Sequence, residues 1–271
     1  MIVAAAALTG AAVVGASCRW NWWRPRVHGG IPSLMYHKVG EAPKGSQLKK
    51  LWVTAKDFRE QMEYLKHHGY TTLTFTELHD IELGKAKAPH KPVLVTFDDG
   101  YANNYEIAYP ILKELGLKGN IFLVYETIDS HNAWHDPKSE SWIPMLTWAQ
   151  VKEMQDSGVI EMGSHTMRHR DLHSIPIDQV RWELTESKKR LEEKLGREMV
   201  GFAYPYGGGA YVPEVRKAAR DAGYRYDFAI KQGISPFPWN PDSGPIKRLF
   251  IRGDDFMVDF HLNMTRGKAR F

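Results

Sequence analysis

From Ile31 onward, short β-rich apolar runs alternate with amphipathic runs of helical period, and this alternation restricts the fold more than any other feature of the 271-residue chain. Strands are expected at 32–37, 72–75, 92–97, 119–124, 159–164, 199–203, 227–231 and 247–252. Helices are expected at 55–68, 75–83, 104–115, 147–157, 176–195 and 213–222. Thr54 and Thr147 can cap two of these helices, and Gly116, Gly158, Gly196 and Gly223 each follow one as a stop. Such a pattern builds a mostly parallel α/β sheet covered by helices, either open or closed into a barrel. No linker or repeat interrupts 31–271, which reads as a single domain. In these folds reactive side chains gather beyond the carboxyl ends of strands.

Three polar motifs fall at such ends. In Val93-Leu94-Val95-Thr96-Phe97-Asp98-Asp99-Gly100-Tyr101 an apolar strand ends in two adjacent carboxylates. As an isolated feature this is an ordinary Asp-Gly turn. Two acids at the mouth of a buried strand nevertheless repel unless a cation lies between them. A metal would resolve that, bound by one carboxylate and served by the other as base. Ser164-His165-Thr166-Met167-Arg168-His169 offers two further ligands, since His residues four apart share one side of a helical turn. An Asp with two His leaves positions for water and substrate, as catalytic zinc sites do. In Phe202-Ala203-Tyr204-Pro205-Tyr206-Gly207-Gly208-Gly209 a strand ends in a Pro-aromatic-Gly turn, where the Tyr206 N–H can meet a developing oxyanion. Tyr206, Trp134, Trp142 and Trp239 are candidate platforms for sugar rings, a role each must contest with plain core packing.

Together these three motifs, in this order, resemble the first three motifs of the polysaccharide deacetylases (NodB-homology, carbohydrate esterase family 4), over about residues 31–252. The resemblance implies an irregular (β/α) barrel with fewer than eight complete units. It also implies Asp98 as general base and Asp99, His165 and His169 as metal ligands. Zinc suits that donor set, and cobalt or nickel would too. The implied substrate is an N-acetylated glycan, poly-N-acetylglucosamine or chitin-like. Acetyl-ester (xylan) or peptidoglycan deacetylation, or a degenerate carbohydrate-binding protein, stand as alternatives.

Two departures matter. Ala203 stands where the family carries an Arg that orients the catalytic Asp, which leaves Arg248 or Arg252 to supply the cation. The C-terminal motif with the general-acid His is replaced by Leu249-Phe250-Ile251-Arg252. Near the start, Leu34-Met35-Tyr36-His37-Lys38-Val39 has the missing form and resembles the rearranged subgroup of biofilm poly-N-acetylglucosamine deacetylases. That likeness makes His37 the acid, with His261 a weaker rival.

The net charge of +4 is spread along the chain and implies no nucleic acid. A single cysteine, Cys18, excludes an internal disulfide and a cysteine-rich metal site. Residues 2–17 are apolar and small, short of the roughly 20 that span a bilayer, and resemble the apolar part of an export signal. The small residues ahead of Cys18 resemble a lipoprotein cleavage site, with Gly15 where Leu or Val is usual. Arg19-Trp20-Asn21-Trp22-Trp23-Arg24-Pro25-Arg26 follows, with the composition of a membrane interface. Those arginines by themselves favour cytoplasmic retention, whereas the apolar run favours export. The expectation is a signal or anchor over 1–30, a catalytic domain over 31–271, and an exported enzyme associated with the membrane or cell envelope.

Overall fold

The computed structural model describes residues 19–270, so the export-signal and lipoprotein readings of residues 2–18 lie outside the described residues. In chain order the strands are β1 Ser33–Tyr36, β2 Lys38–Val39, β3 Trp52–Val53, β4 Thr71–Thr72, β5 Pro92–Phe97, β6 Gly119–Leu123, β7 Ile160–Ser164, β8 Gly201–Ala203, β9 Tyr226–Gln232 and β10 Ile246–Phe250. The helices are α1 Ala55–His67, α2 Phe75–Glu82, α3 Tyr109–Leu115, α4 Trp148–Asp156, α5 Ile177–Leu195, α6 Pro213–Asp221 and α7 Met257–Arg266. Strands β5 through β10 and β1 pair in parallel, and β1 pairs with both β10 and β5. The ring therefore closes on seven strands, the irregular barrel that the family resemblance implied.

Strand parity sets the two cores. Along β5, Val93, Val95 and Phe97 point to the helical layer, while Leu94, Thr96 and then Asp98 point into the barrel. The inner floor is aromatic. Phe75, Phe122 and Phe228 meet with ring centroids 5.1 to 5.4 Å apart. Gly201 makes room for this plug, since a Cβ there would lie 2.9 Å from the Phe75 ring. With its lower half filled, the barrel leaves only its upper end open to polar groups.

Besides the short unexpected strands β2 and β3, three elements differ from the sequence expectation. The strand expected at 72–75 ends at Thr72, because the Thr74 hydroxyl accepts from the Glu77 N–H and the Glu77 carboxylate accepts from the Thr74 N–H, starting α2. The helix expected at 104–115 opens as a wide π turn over Asn104–Ala108. Pro110 lacks the N–H that a regular turn needs there. Helix α7 was not expected, because Val258, Asn263 and Thr265 are poor helix formers. It is held by tertiary contacts: Phe260, Leu262 and Met264 are buried, and the buried Asp259 takes Arg270.

Where β4 leaves β5 and β6 begins, the buried Asn120 side chain closes the gap. Its Oδ1 accepts from the Phe75 N–H at 3.0 Å, and its Nδ2 donates to the Leu73 and Val95 carbonyls. Asn120→Ala is expected to cost about 2–4 kcal/mol in urea unfolding, since it strands several buried backbone groups. A loss below about 1 kcal/mol would show that water replaces the amide.

Candidate active site

Three loops at the carboxyl ends of β5, β7 and β8 build the site. Of the five non-glycine residues with positive φ among the described residues, four lie in these loops: Asp99 (78°), Thr166 (73°), His169 (56°) and Tyr206 (57°). Each costs about 1–3 kcal/mol unless its surroundings enforce it. Here they do. The Ser164 hydroxyl accepts from the Thr166 N–H, the Thr166 hydroxyl from the His169 N–H, and the Glu183 carboxylate from the N–H groups of Met167 and Arg168. The helical turn expected for 165–169 is thereby corrected: these residues form an irregular loop, and left-handed Thr166 and His169 bring the imidazoles together with ring centroids 5.0 Å apart.

Asp99, His165 and His169 converge, with one ligand atom of each lying within 4.8 Å of the others. Asp99 Oδ1 is 3.3 Å from His165 Nε2 and 3.1 Å from His169 Nε2. His165 Nδ1 meets the Ala203 carbonyl at 2.8 Å, so Nδ1 carries a proton and Nε2, which faces Asp99, is the nitrogen that could ligate a metal. Asp99 Oδ1 is buried and receives no hydrogen bond. Acceptors that face each other in a dry site call for a cation, and this donor set fits a divalent metal.

Asp98 points inward beside this cluster and is gripped across β1. Arg248 on β10 donates from Nη1 to Oδ1 at 2.5 Å and from Nη2 to Oδ2 at 2.8 Å, a bidentate buried pair. Its Nε donates to the Ala229 carbonyl and Nη1 also meets the Thr96 hydroxyl. Burial raises Asp98, yet Arg248 foremost outweighs it, leaving the carboxyl below its ordinary value. His37 Nε2 lies 3.9 Å from Asp98 Oδ2. Burial draws the His37 imidazole down, against the pull of Asp98 and Asp99. A cavity of about 250 Å³ opens above these groups, with Leu48, Leu51, Ile230 and Phe250 among its apolar walls and Trp134 and Tyr206 at its side.

A family model described as polysaccharide deacetylase matches residues 85–226, a span that carries all three motifs. The chain belongs to the polysaccharide deacetylase family. Among its relatives, Bacillus subtilis YxkH is 33% identical over 214 residues, covering 79% of this chain and 69% of the relative. A Staphylococcus aureus poly-beta-1,6-N-acetyl-D-glucosamine N-deacetylase is 27% identical over 248 residues, covering 83% of this chain and 79% of the relative. The crystal structure of BC0361, a polysaccharide deacetylase from Bacillus cereus, superposes with a TM-score of 0.73 at 28% identity over 87% of this chain and 69% of that one.

The deacetylase settles several open assignments by geometry. Arg248, not Arg252, reaches Asp98; Arg252 pairs with Asp254 at the surface. His261 is remote from the cavity, with its Nδ1 on the Tyr64 hydroxyl at 2.8 Å. Two of the four aromatic candidates lie elsewhere. Trp239 packs among Phe237, Tyr226 and Phe228, and Trp142 stacks on His131 outside the cavity. Trp134 stacks on His169 at 4.3 Å and Tyr206 meets the same ring edge-on at 4.6 Å, so both wall the cluster of Asp99, His165 and His169. Leu48, Leu51 and His135 line the cavity without any signal in sequence, because two long loops bring them there. Lys38 was also missed. Its fully buried Nζ lies 4.7 Å from the Tyr101 ring, and burial lowers its pKa against the pull of Asp99 and Glu140.

Proposed function

We propose that this polysaccharide deacetylase is a metal-dependent N-deacetylase of poly-N-acetylglucosamine or chitin-like glycans. One observation carries the reading: three convergent acceptors, Asp99, His165 and His169, stand beside a fourth group, Asp98, that is kept ionised and outside the cluster. A divalent ion held by the three, zinc before cobalt or nickel, would supply a Lewis acid and make water more acidic. Asp98 takes the proton of the attacking water, and its pairing with Arg248 keeps the carboxylate aimed into the cavity. The Tyr206 N–H is assigned to the oxyanion, supported by the left-handed turn at the cavity wall. His37 protonates the departing nitrogen, supported by its place in the cavity close to Asp98. Trp134 and Tyr206 offer the sugar its apolar faces. The likeness to the Staphylococcus aureus N-deacetylase supports an amide-linked acetyl group.

Acetate release from partially N-acetylated glucosamine oligomers tests this, with acetylated xylan and peptidoglycan alongside. Activity on the glucosamine oligomers is expected to vanish with a chelator and return with zinc. A rate that survives complete metal removal would defeat the metal assignment. Release from xylan alone would replace the substrate class, and bound metal with no acetate from any glycan would favour a carbohydrate-binding protein.

A further inference from the structure

The exposed apolar surface is unevenly placed. Of ten large hydrophobic side chains exposed among the described residues, five belong to two touching segments: Trp22, Trp23, Val27, Phe256 and Val258. The first segment is fastened to the barrel. The Asn21 N–H donates to the Ala269 carbonyl, the Val27 N–H to the Thr265 carbonyl, and the Trp20 indole to Asp259 at 2.7 Å. The Arg19 guanidinium lies 5.2 Å from the Trp20 ring and 5.5 Å from the Phe256 ring, joining residues 19–27 to the start of α7.

Positive charge is in excess at this corner. Arg19, Arg24 and Arg26 are all exposed. The nearby acids are occupied: Asp254 pairs with Arg252 and Arg270, and Asp255 and Asp259 pair with Arg270. From this corner the chain continues back into residues 2–17, which are apolar in sequence. Exposed Trp and Phe in segments that also expose arginine is the chemistry of an anionic lipid–water interface.

We propose that residues 19–27 and the start of α7 form one docking surface for an anionic lipid bilayer. This contact is separate from any insertion of residues 2–17. Phe256 follows β10, whose last residue, Phe250, lines the cavity, so the Phe256 end of the docking surface lies at the end of the barrel that holds the catalytic opening. Residues 19–27 run from there along α7 to Thr265. Docking would therefore present the cavity to glycan at the membrane surface.

The test uses the full chain with Cys18→Ser and either Phe256→Cys or Glu198→Cys, the latter in the exposed turn before β8 at the opposite end of the barrel. Each new thiol carries a polarity-sensitive dye. With phosphatidylglycerol vesicles, the dye at 256 is expected to shift to the blue and be quenched by brominated lipid, while the dye at 198 stays unchanged. Changing Arg19, Arg24 and Arg26 to Ser should reduce quenching at 256 at least threefold. The proposal is overturned if the protein sediments with vesicles while position 256 remains in water, because residues 2–17 alone would then hold it. Equal quenching by neutral phosphatidylcholine vesicles would overturn the role of the arginines. Failure of both vesicle types to bind would leave a protein partner for this corner and refute lipid.

Discussion

Arg248→Met is expected to destabilise the protein by about 3–5 kcal/mol near neutral pH, because it leaves the buried Asp98 carboxylate without its cation. The pH dependence should identify the cause. In the native protein the Asp98 carboxyl is held below its ordinary value of 3.8. The stabilisation this represents is fully present above that value and is lost as pH falls through the lower, folded value. Without Arg248 the strongest of the charges that lower the carboxyl is gone, and burial pushes it up from its native value. The folded variant then binds a proton more readily than the folded parent, so its deficit should shrink as pH is lowered from 7 toward 4. Urea unfolding across that range measures this. A deficit that stays constant with pH would assign Arg248 a packing role against Phe122 instead. Activity of the folded fraction should also fall, since Asp98 would lose its fixed orientation.

Asp98→Asn is expected to lower kcat by roughly 10²–10⁴-fold, the range a positioned base contributes. Metal content should remain near that of the parent, because Asp99, His165 and His169 form the cluster without Asp98. The two readings together separate base from ligand. Parallel loss of metal and activity would make Asp98 a ligand, and activity within about tenfold of the parent would remove it from proton transfer. Circular dichroism on the same samples guards against unfolding, since the neutral amide no longer balances the buried charge of Arg248, whose remaining partners are the Ala229 carbonyl and the Thr96 hydroxyl.

Much of this site can be read from residues that are close in sequence. Asp98 and Asp99 are adjacent, and His165 and His169 share one loop, so each motif announces its chemistry locally. Their placement at strand ends follows from apolar periodicity, which needs no knowledge of packing. The cation for Asp98 was harder. Arg248 and Arg252 both lie near the end of β10 and look equivalent as sequence, although parity turns Arg248 inward and the break in the strand leaves Arg252 outside. The aromatic walls were harder still. Trp134 and Trp142 sit in one loop, and only the fold stacks Trp134 on His169 while Trp142 covers His131.

The sequence by itself determined the alternating α/β plan, the strand-end motifs and the resemblance that points to a deacetylase. These depend on contacts between near neighbours, through period, caps and turns, which a linear pattern records. Tertiary structure alone decided the closure of β1 onto both β5 and β10, the left-handed backbone that aims His169, and the choice of Arg248. It also decided helix α7 and the surface it shares with residues 19–27. These features arise where segments far apart in the chain meet, and their stability comes from burial and charge compensation that no single segment contains.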